Sequence, residues 1–266
     1  MRTCVIIPAR YASTRYPGKP LAGLKGATGQ TLSLLERSWQ AARAAGGIDR
    51  IVVATDDDRI KSAAEAFGAD VIMTSPDAPN GTARVAEAHH ALGGGYDIIV
   101  NLQGDAPLTP PWFVEALVEA LAHTADADVA TPVLRCDGRA LAALLEDRRA
   151  GRVGGTTAVF GAGHRGLYFS KEVIPFTGKT YGAAEPTPVF HHVGVYAYRP
   201  AALEAYVGWP TGPLETLEGL EQLRFLEQGR DVLCVEVDGR GREFWELNNP
   251  SDVPKIEQIL AELGIE

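Results

Sequence analysis

The feature that most constrains the fold is a rhythm. Apolar runs at residues 4–7, 50–55, 70–73 and 97–102 alternate with helix-like segments near 32–45, 58–67 and 82–92. Runs this short and this apolar suit strands buried on both faces. Strand–helix–strand repetition joins parallel strands through crossover helices. The expected fold is therefore α/β and Rossmann-like, a mostly parallel central sheet with helices on both faces. Gly68 follows the second helical segment, where a left-handed C-terminal residue is expected. A helix over 110–122 follows, with Pro110 and Pro111 in its first turn, then a strand near 128–133. The second half is less regular. It carries short strands near 156–160, 166–169, 193–198 and 232–237, a helix over 214–228 and a closing helix near 251–263. Residues 177–188 are rich in Gly and Pro and read as a loop over the site.

With 266 residues and 45% apolar content the chain can bury one full core, so a single elaborated domain is expected. A net charge of −9 argues against general nucleic-acid binding, which needs phosphate neutralisation. No run approaches the roughly 18 apolar residues of a membrane span. Met1-Arg2-Thr3 enters a strand directly, without the apolar segment of a signal peptide. Cys4, Cys136 and Cys234 are too far apart for a Cys-x-x-Cys site, and read as reduced, buried thiols. A cytoplasmic protein with no nucleic-acid or membrane partner is expected.

Against that acidic background, positive charge gathers where the first strand ends. The run 4–7 breaks at Pro8 into a loop bearing Arg10, Arg15 and Lys19, punctuated by Pro17, Gly18 and Pro20. Arg grips phosphate oxygens through a planar fork and Lys acts as a point charge, so three cations here suit several phosphates. In open α/β sheets ligands gather at the carboxyl ends of strands. Two carboxylates sit at such ends: Asp56 follows 52–55, and Asp105 follows 98–104. A carboxylate beside a phosphate loop suggests Mg²⁺, which takes few carboxylates plus phosphate oxygens. Asp56 could instead cap a helix, and capping is the preferred reading of Asp57 and Asp58. Gly104 lets a ligand approach Asp105 closely.

The wording of these segments resembles the CMP-Kdo synthetases, the 3-deoxy-manno-octulosonate cytidylyltransferases. Their nucleotide loop reads Pro-Ala-Arg-Tyr-x-Ser-x-Arg-x-Pro-Gly-Lys-Pro-Leu, and residues 8–21 meet every fixed position. Ala54-Thr55-Asp56 matches the family's Ala-Thr-Asp. Gln103-Gly104-Asp105-Ala106-Pro107 resembles Gln-Gly-Asp-Glu-Pro, whose Asp binds the catalytic metal. Asn80-Gly81-Thr82-Ala83-Arg84 resembles the Ser-Gly-Thr-Glu-Arg element near the base. In the second half, residues 167–175, 192–199 and 213–224 resemble the elements that surround the sugar acid. The resemblance spans nearly the whole chain and implies a nucleotidyltransferase fold with a smaller acceptor-binding and dimerisation lobe. Residues 1–125 would be mainly nucleotide-binding, 126–240 mainly acceptor-binding with dimer contacts, and 241–266 a metal-site motif and closing helix.

It further implies transfer of CMP from CTP to a small anionic acceptor, with Mg²⁺ as cofactor, in a homodimer. Pro8, Ala9, Arg10, Arg15, Lys19, Thr55, Asp56, Asn80, Gly81, Thr82, Arg84 and Gln103 would bind the nucleotide. Arg10, Lys19 and Asp105 would carry catalysis. Gln103, Lys171, His192, Tyr196, Glu215 and Gln222 would bind the acceptor. Taken alone, Leu214, Leu217 and Leu220 read as a core stripe, with Glu215, Glu218 and Gln222 on a neighbouring solvated face. A lone His192 before an apolar strand reads as structural. Four departures stand out: Ala83 and Ala106 replace glutamates, Gly154-Gly155 replaces a Lys-bearing strand, and Asn248 replaces the second metal-binding Asp. Glu246 lies on the same extended-chain face as Asn248 and could compensate. The departures leave two alternatives: a cytidylyltransferase for another anionic acceptor, such as a different 3-deoxy-2-keto sugar acid or a phosphonate, and a non-catalytic nucleotide-binding paralogue. A pyrophosphorylase of sugar 1-phosphates is disfavoured, because the first loop lacks Gly-x-Gly-Thr-Arg.

Overall fold

The computed structural model describes residues 1–12, 16–104, 107–153, 155–242, 247 and 249–265. The chain divides into two compact units, Met1–Val118 with Gly239–Glu266, and Glu119–Asp238. Among the described residues, no helix is long and apolar enough to cross a membrane.

The first unit follows the expected rhythm. Its strands are β1 (Thr3–Ala9), a small hairpin of β2 (Gly23–Lys25) and β3 (Thr31–Ser33), then β4 (Arg50–Thr55), β5 (Asp70–Met73) and β6 (Ile98–Leu102). Between them lie α1 (Leu34–Ala44), α2 (Asp58–Ala66) and α3 (Gly81–Ala91), and α4 (Pro111–His123) carries the chain out of this unit. Strands β5, β4, β1 and β6 pair in that order, all parallel. All seven residues of β1 are buried, as its unbroken apolar run requires. The chain winds from β1 outward through β4 and β5, then returns to add β6 on the other side. Strand order reverses between β1 and β6, so their carboxyl ends flank a switch point, where such sheets bind ligands. Helix starts are capped as their sequences demand. Ser33, Asp57 and Asn80 each accept a backbone N–H from the first turn of the helix that follows. Gly68 takes φ +87°, the left-handed conformation expected after α2.

The second unit holds β7 (Val129–Asp137), α5 (Gly138–Arg149), β8 (Thr156–Phe160), β9 (Gly166–Ser170), β10 (Pro186–His192), β11 (Val195–Tyr198), α6 (Pro200–Gly208), α7 (Pro213–Glu218), α8 (Leu223–Glu227) and β12 (Val232–Glu236). Here pairing is mostly antiparallel: β10 and β11 both run against β7, β8 against β10 and β9 against β8, while β12 lies parallel to β7. Back in the first unit, α9 (Val253–Leu263) buries Ile256, Ile259 and Leu260 against Leu24, Leu34, Leu108 and Leu247.

Three expectations need correction. The helix over 214–228 is two short helices, because Gly219 turns left-handed (φ +62°) and ends α7. Its leucine stripe is not core: Leu217 is 82% exposed, while Glu215 on the neighbouring face is buried. Periodicity identifies residues that share a face, but not the face that meets the interior. The loop 177–188 is shorter than expected, since Pro186 already opens β10. Helix α5 went unforeseen, although Asp137 caps it and Leu141, Leu144 and Leu145 pack together below it.

Candidate active site

In the first unit, the carboxyl ends of β1, β4 and β6 bring several expected nucleotide residues together. Ala9 pairs in register with Thr55, and Pro8 with Ala54. Gly104 ends the turn out of β6, and a Cβ there would stand 3.2 Å from the carbonyl oxygen of Pro8, so glycine eases this close approach. The Gln103 side chain reaches α3, where a Cβ on Gly81 would lie 2.9 Å from its Nε2. Arg10 leaves β1 exposed. Its loop is closed by the backbone N–H of Gly18, which donates to the Tyr11 carbonyl at 2.9 Å. Gly18 has φ +71°, and a Cβ there would lie 3.0 Å from the Tyr11 ring, so conformation and space both favour glycine. Lys19 opens the short 3-10 turn Lys19–Leu21 that follows. The Arg59 guanidinium covers the Tyr11 ring at 3.3 Å from its centroid and pairs with Asp57 at 2.6 Å. That bond holds the Asp57 carboxyl below the ordinary carboxylate range.

Other expected nucleotide residues have structural partners of their own. Asn80 spends its side-chain oxygen on the Ala83 N–H, capping α3. Thr82 is fully buried. Arg84, also buried, faces Asp56 at 3.4 Å and donates to Thr74 Oγ1 at 2.5 Å. The Asp56 Oδ1 is buried and accepts no hydrogen bond from the described residues, so its charge rests on Arg84. Asp56 thus suits an ion pair better than a cation site. Arg15, Asp105, Ala106, Gly154, Glu246 and Asn248 lie outside the described residues. Among those described, no three His, Cys, Asp or Glu side chains cluster as a metal site would need.

The second unit gathers a buried polar chain. Between β10 and β11 the register against β7 shifts, leaving Thr131 opposite the break. Its Oγ1 lies 2.9 Å from His192 Nε2 and 2.9 Å from the Val195 carbonyl oxygen. His192 is packed edge-on against Phe169 and tilted against Tyr196, at centroid distances of 5.0 and 5.6 Å. Burial pushes its pKa down to about 3, so the ring is neutral at physiological pH. The Tyr196 hydroxyl donates to Gln222 Oε1 at 3.0 Å. Gln222 is 2% exposed, and its Nε2 finds no acceptor among the described residues. A buried amide donor without a partner is costly unless something else fills it.

Glu215 has a different environment. Arg224 grips it with two bonds, Nε to Oε2 at 2.6 Å and Nη2 to Oε1 at 2.8 Å. Lys171 sits at the turn after β9, where Glu218 accepts from the Lys171 N–H at 2.9 Å and from Ser170 Oγ at 2.7 Å. Gly219 leaves room for its ammonium group, since a Cβ there would lie 3.0 Å from Lys171 Nζ. One departure has a local cause: a Cβ on Gly155 would come within 2.8 Å of His191 Nε2. Sequence reasoning missed Thr131 and Arg224 as members of this cluster. Arg224 closes the segment 213–224 that carries the resemblance, which could have pointed to it, whereas no local signal marks Thr131. The three cysteines are free and buried, and burial raises their pKa values to about 12, 11 and 12, so they are poor nucleophiles.

Residues 4–232 match the model of a family described as cytidylyltransferase. Over 264 residues the chain is 42% identical to the 3-deoxy-manno-octulosonate cytidylyltransferase of Maricaulis maris, covering 99% of each protein. It is 39% identical over 263 residues to the 8-amino-3,8-dideoxy-manno-octulosonate cytidylyltransferase of Shewanella oneidensis, covering 98% of this chain and 99% of that one. Among solved structures, a CMP:2-keto-3-deoxy-manno-octonic acid synthetase complexed with CTP superposes with a TM-score of 0.82 at 30% identity, covering 99% of this chain and all of the other. A cytidylyltransferase from Leptospira borgpetersenii, at 17% identity and a TM-score of 0.60 over 97% of this chain and 85% of its own, shares the fold.

Proposed function

The chain belongs to the cytidylyltransferase family, and we propose that this CTP-dependent nucleotidyltransferase transfers CMP to 3-deoxy-manno-octulosonate, releasing pyrophosphate. The observation that carries the choice of acceptor is the full-length likeness to an enzyme of that name. An acceptor oxygen attacks the α-phosphorus in line, a bond forms there, and the bond to the β-phosphate bridging oxygen breaks. Such a reaction needs positioning and charge neutralisation more than a protein nucleophile.

In this proposal the first unit holds CTP. Arg10, Arg15 and Lys19 take the triphosphate and stabilise the departing pyrophosphate. Pro8 and Ala9 line its approach, Thr55 lies beside Ala9 on β4, and Gly81 and Gln103 form the neighbouring wall. Asn80, Thr82, Arg84 and Asp56 act by fixing the start of α3 and the end of β4 around the nucleotide. Cytidylyltransferases typically use a divalent metal, and Mg²⁺ is the ion we propose. Asp105 would offer it a carboxylate and Asn248 an amide oxygen, and Gly104, the described residue next to Asp105 in sequence, lies close to the end of β1. When bound there, such an ion would supply charge neutralisation at the triphosphate and acidify the acceptor hydroxyl.

The second unit takes the sugar acid. The Gln222 amide, with a buried donor to spare, suits the carboxylate, and Tyr196 holds that amide in place. Lys171 adds positive charge. Glu215 contributes through Arg224, as a strut that holds α7 and α8 together. The full enzyme is a homodimer in the cytoplasm in this reading. The likeness to the Shewanella enzyme favours a second acceptor, the 8-amino-8-deoxy analogue. A pyrophosphate-release assay crossing the four nucleoside triphosphates with both sugar acids and a phosphonate decides among them. Turnover with CTP and 3-deoxy-manno-octulosonate is expected; product from the other acids alone would overturn the choice.

A further inference from the structure

A single hydroxyl proton in the second unit determines what His192 can recognise. Thr131 Oγ1 has three polar neighbours: His192 Nε2 at 2.9 Å, the Val195 carbonyl oxygen at 2.9 Å and the Val193 carbonyl oxygen at 3.4 Å. Carbonyl oxygens only accept, and a threonine hydroxyl has one proton to give. If that proton went to His192, the Val195 oxygen would face another oxygen at 2.9 Å with no hydrogen between them. Donation to Val195 leaves the Thr131 lone pairs for a ring N–H. His192 must then carry its proton on Nε2, with its lone pair on Nδ1. The register break between β10 and β11 creates this need, since it leaves the Val193 and Val195 carbonyls turned toward Thr131.

We propose that Thr131 is a positioning residue that locks His192 as the Nε2–H tautomer, so that the ring offers the acceptor substrate a hydrogen-bond acceptor at Nδ1 and selects one of its hydroxyl groups. This rests on the reading that the second unit binds the sugar acid. A ring presenting a lone pair repels a carboxylate and welcomes an O–H donor. The carboxylate is thereby left to the Gln222 amide, and the two ends of the acid are told apart. Burial keeps the ring neutral, so this preference holds across the physiological range. Phe169 and Tyr196 pack against the ring and fix its plane.

The test is a long-range proton–nitrogen correlation spectrum of the full-length protein labelled in its histidines, with His192 assigned by its loss in His192→Gln. The expected wild-type signature is a protonated Nε2 and an unprotonated Nδ1. In Thr131→Val the lock is gone, the two tautomers mix, and the acceptor KM rises about tenfold while the KM for CTP holds, the scale of one hydrogen bond. Thr131→Ser should restore both readouts, which a loss of packing alone would not allow. An Nδ1–H signature in the wild type, or an unchanged Nε2–H signature in Thr131→Val, overturns the proposal. A tautomer that responds to Thr131→Val with no change in acceptor KM would instead overturn the placing of the acceptor beside His192.

Discussion

Glu215 and Arg224 form a buried ion pair whose energetics distinguish a strut from a solvated helix face. Their side chains are 7% and 6% exposed, and two charge-assisted bonds of 2.6 and 2.8 Å join them. Arg224 also reaches Thr211 Oγ1 at 3.1 Å and stacks over Tyr206 at 4.1 Å. Replacing it in Arg224→Met removes all of these and leaves the Glu215 carboxylate buried against a weak Tyr206 contact of 3.4 Å. Breaking a buried pair from one side costs about 3–5 kcal/mol, mostly the desolvated charge left behind. Replacing both partners, in Glu215→Leu with Arg224→Met, removes that charge as well. The double variant then loses the Thr211 bond, the long bonds from Arg224 Nη1 to the Tyr206 and Trp209 carbonyls at 3.5 and 3.4 Å, and the stacking, together about 1–2 kcal/mol. The expected result is that the double variant is more stable than Arg224→Met by about 2 kcal/mol. Urea unfolding followed by tryptophan fluorescence measures this, since Trp209 packs edge-on against Phe225 at 5.8 Å nearby. A double variant as unstable as the sum of its two singles would refute the reasoning, because the pair would then carry no shared charge penalty.

The remaining predictions concern protons, phosphates and metal. His192 titrates near 6.5 when unfolded and near 3 when folded, so the unfolded state binds more protons as pH falls through this window. Its contribution is complete above pH 6.5 and is lost toward pH 3, about 2 kcal/mol of it between pH 7 and 5; His192→Gln should lose correspondingly less over that interval in urea titrations, and an equal loss would refute it. Lys19→Ala or Arg10→Ala should lower turnover by about two to three orders of magnitude with an unchanged melting temperature, so full activity in either would remove the phosphate role of the loop. Asn248→Asp should raise turnover at low Mg²⁺ by adding a charged oxygen ligand. If Glu246 completes the site instead, Glu246→Gln should abolish activity, and three superimposed Mg²⁺ titrations would remove both from the metal.

The sequence by itself determined what is local and periodic. The runs at 4–7, 50–55, 70–73 and 97–102 could be read as parallel strands, because each is mostly apolar and helix-like segments separate the later ones. The end of β1 could be read as the start of a cationic loop, and Gly104 as a place of close approach, since a missing Cβ is a property of one position. Burial direction was not legible. Residues 213–228 have helical spacing, yet the tertiary structure turned the leucines outward and drew Glu215 in, because Arg224 was waiting for it beyond the Gly219 turn. Partnership at long range was not legible either. Thr131 meets His192 across 61 positions, and Tyr196 meets Gln222 across 26. Nothing in the neighbourhood of Thr131 in the sequence announces it, since its hydroxyl matters only where the register of β10 and β11 breaks against β7. Hydrogen bonds depend on where two atoms finally stand, and for these residues only the folded sheet sets that distance.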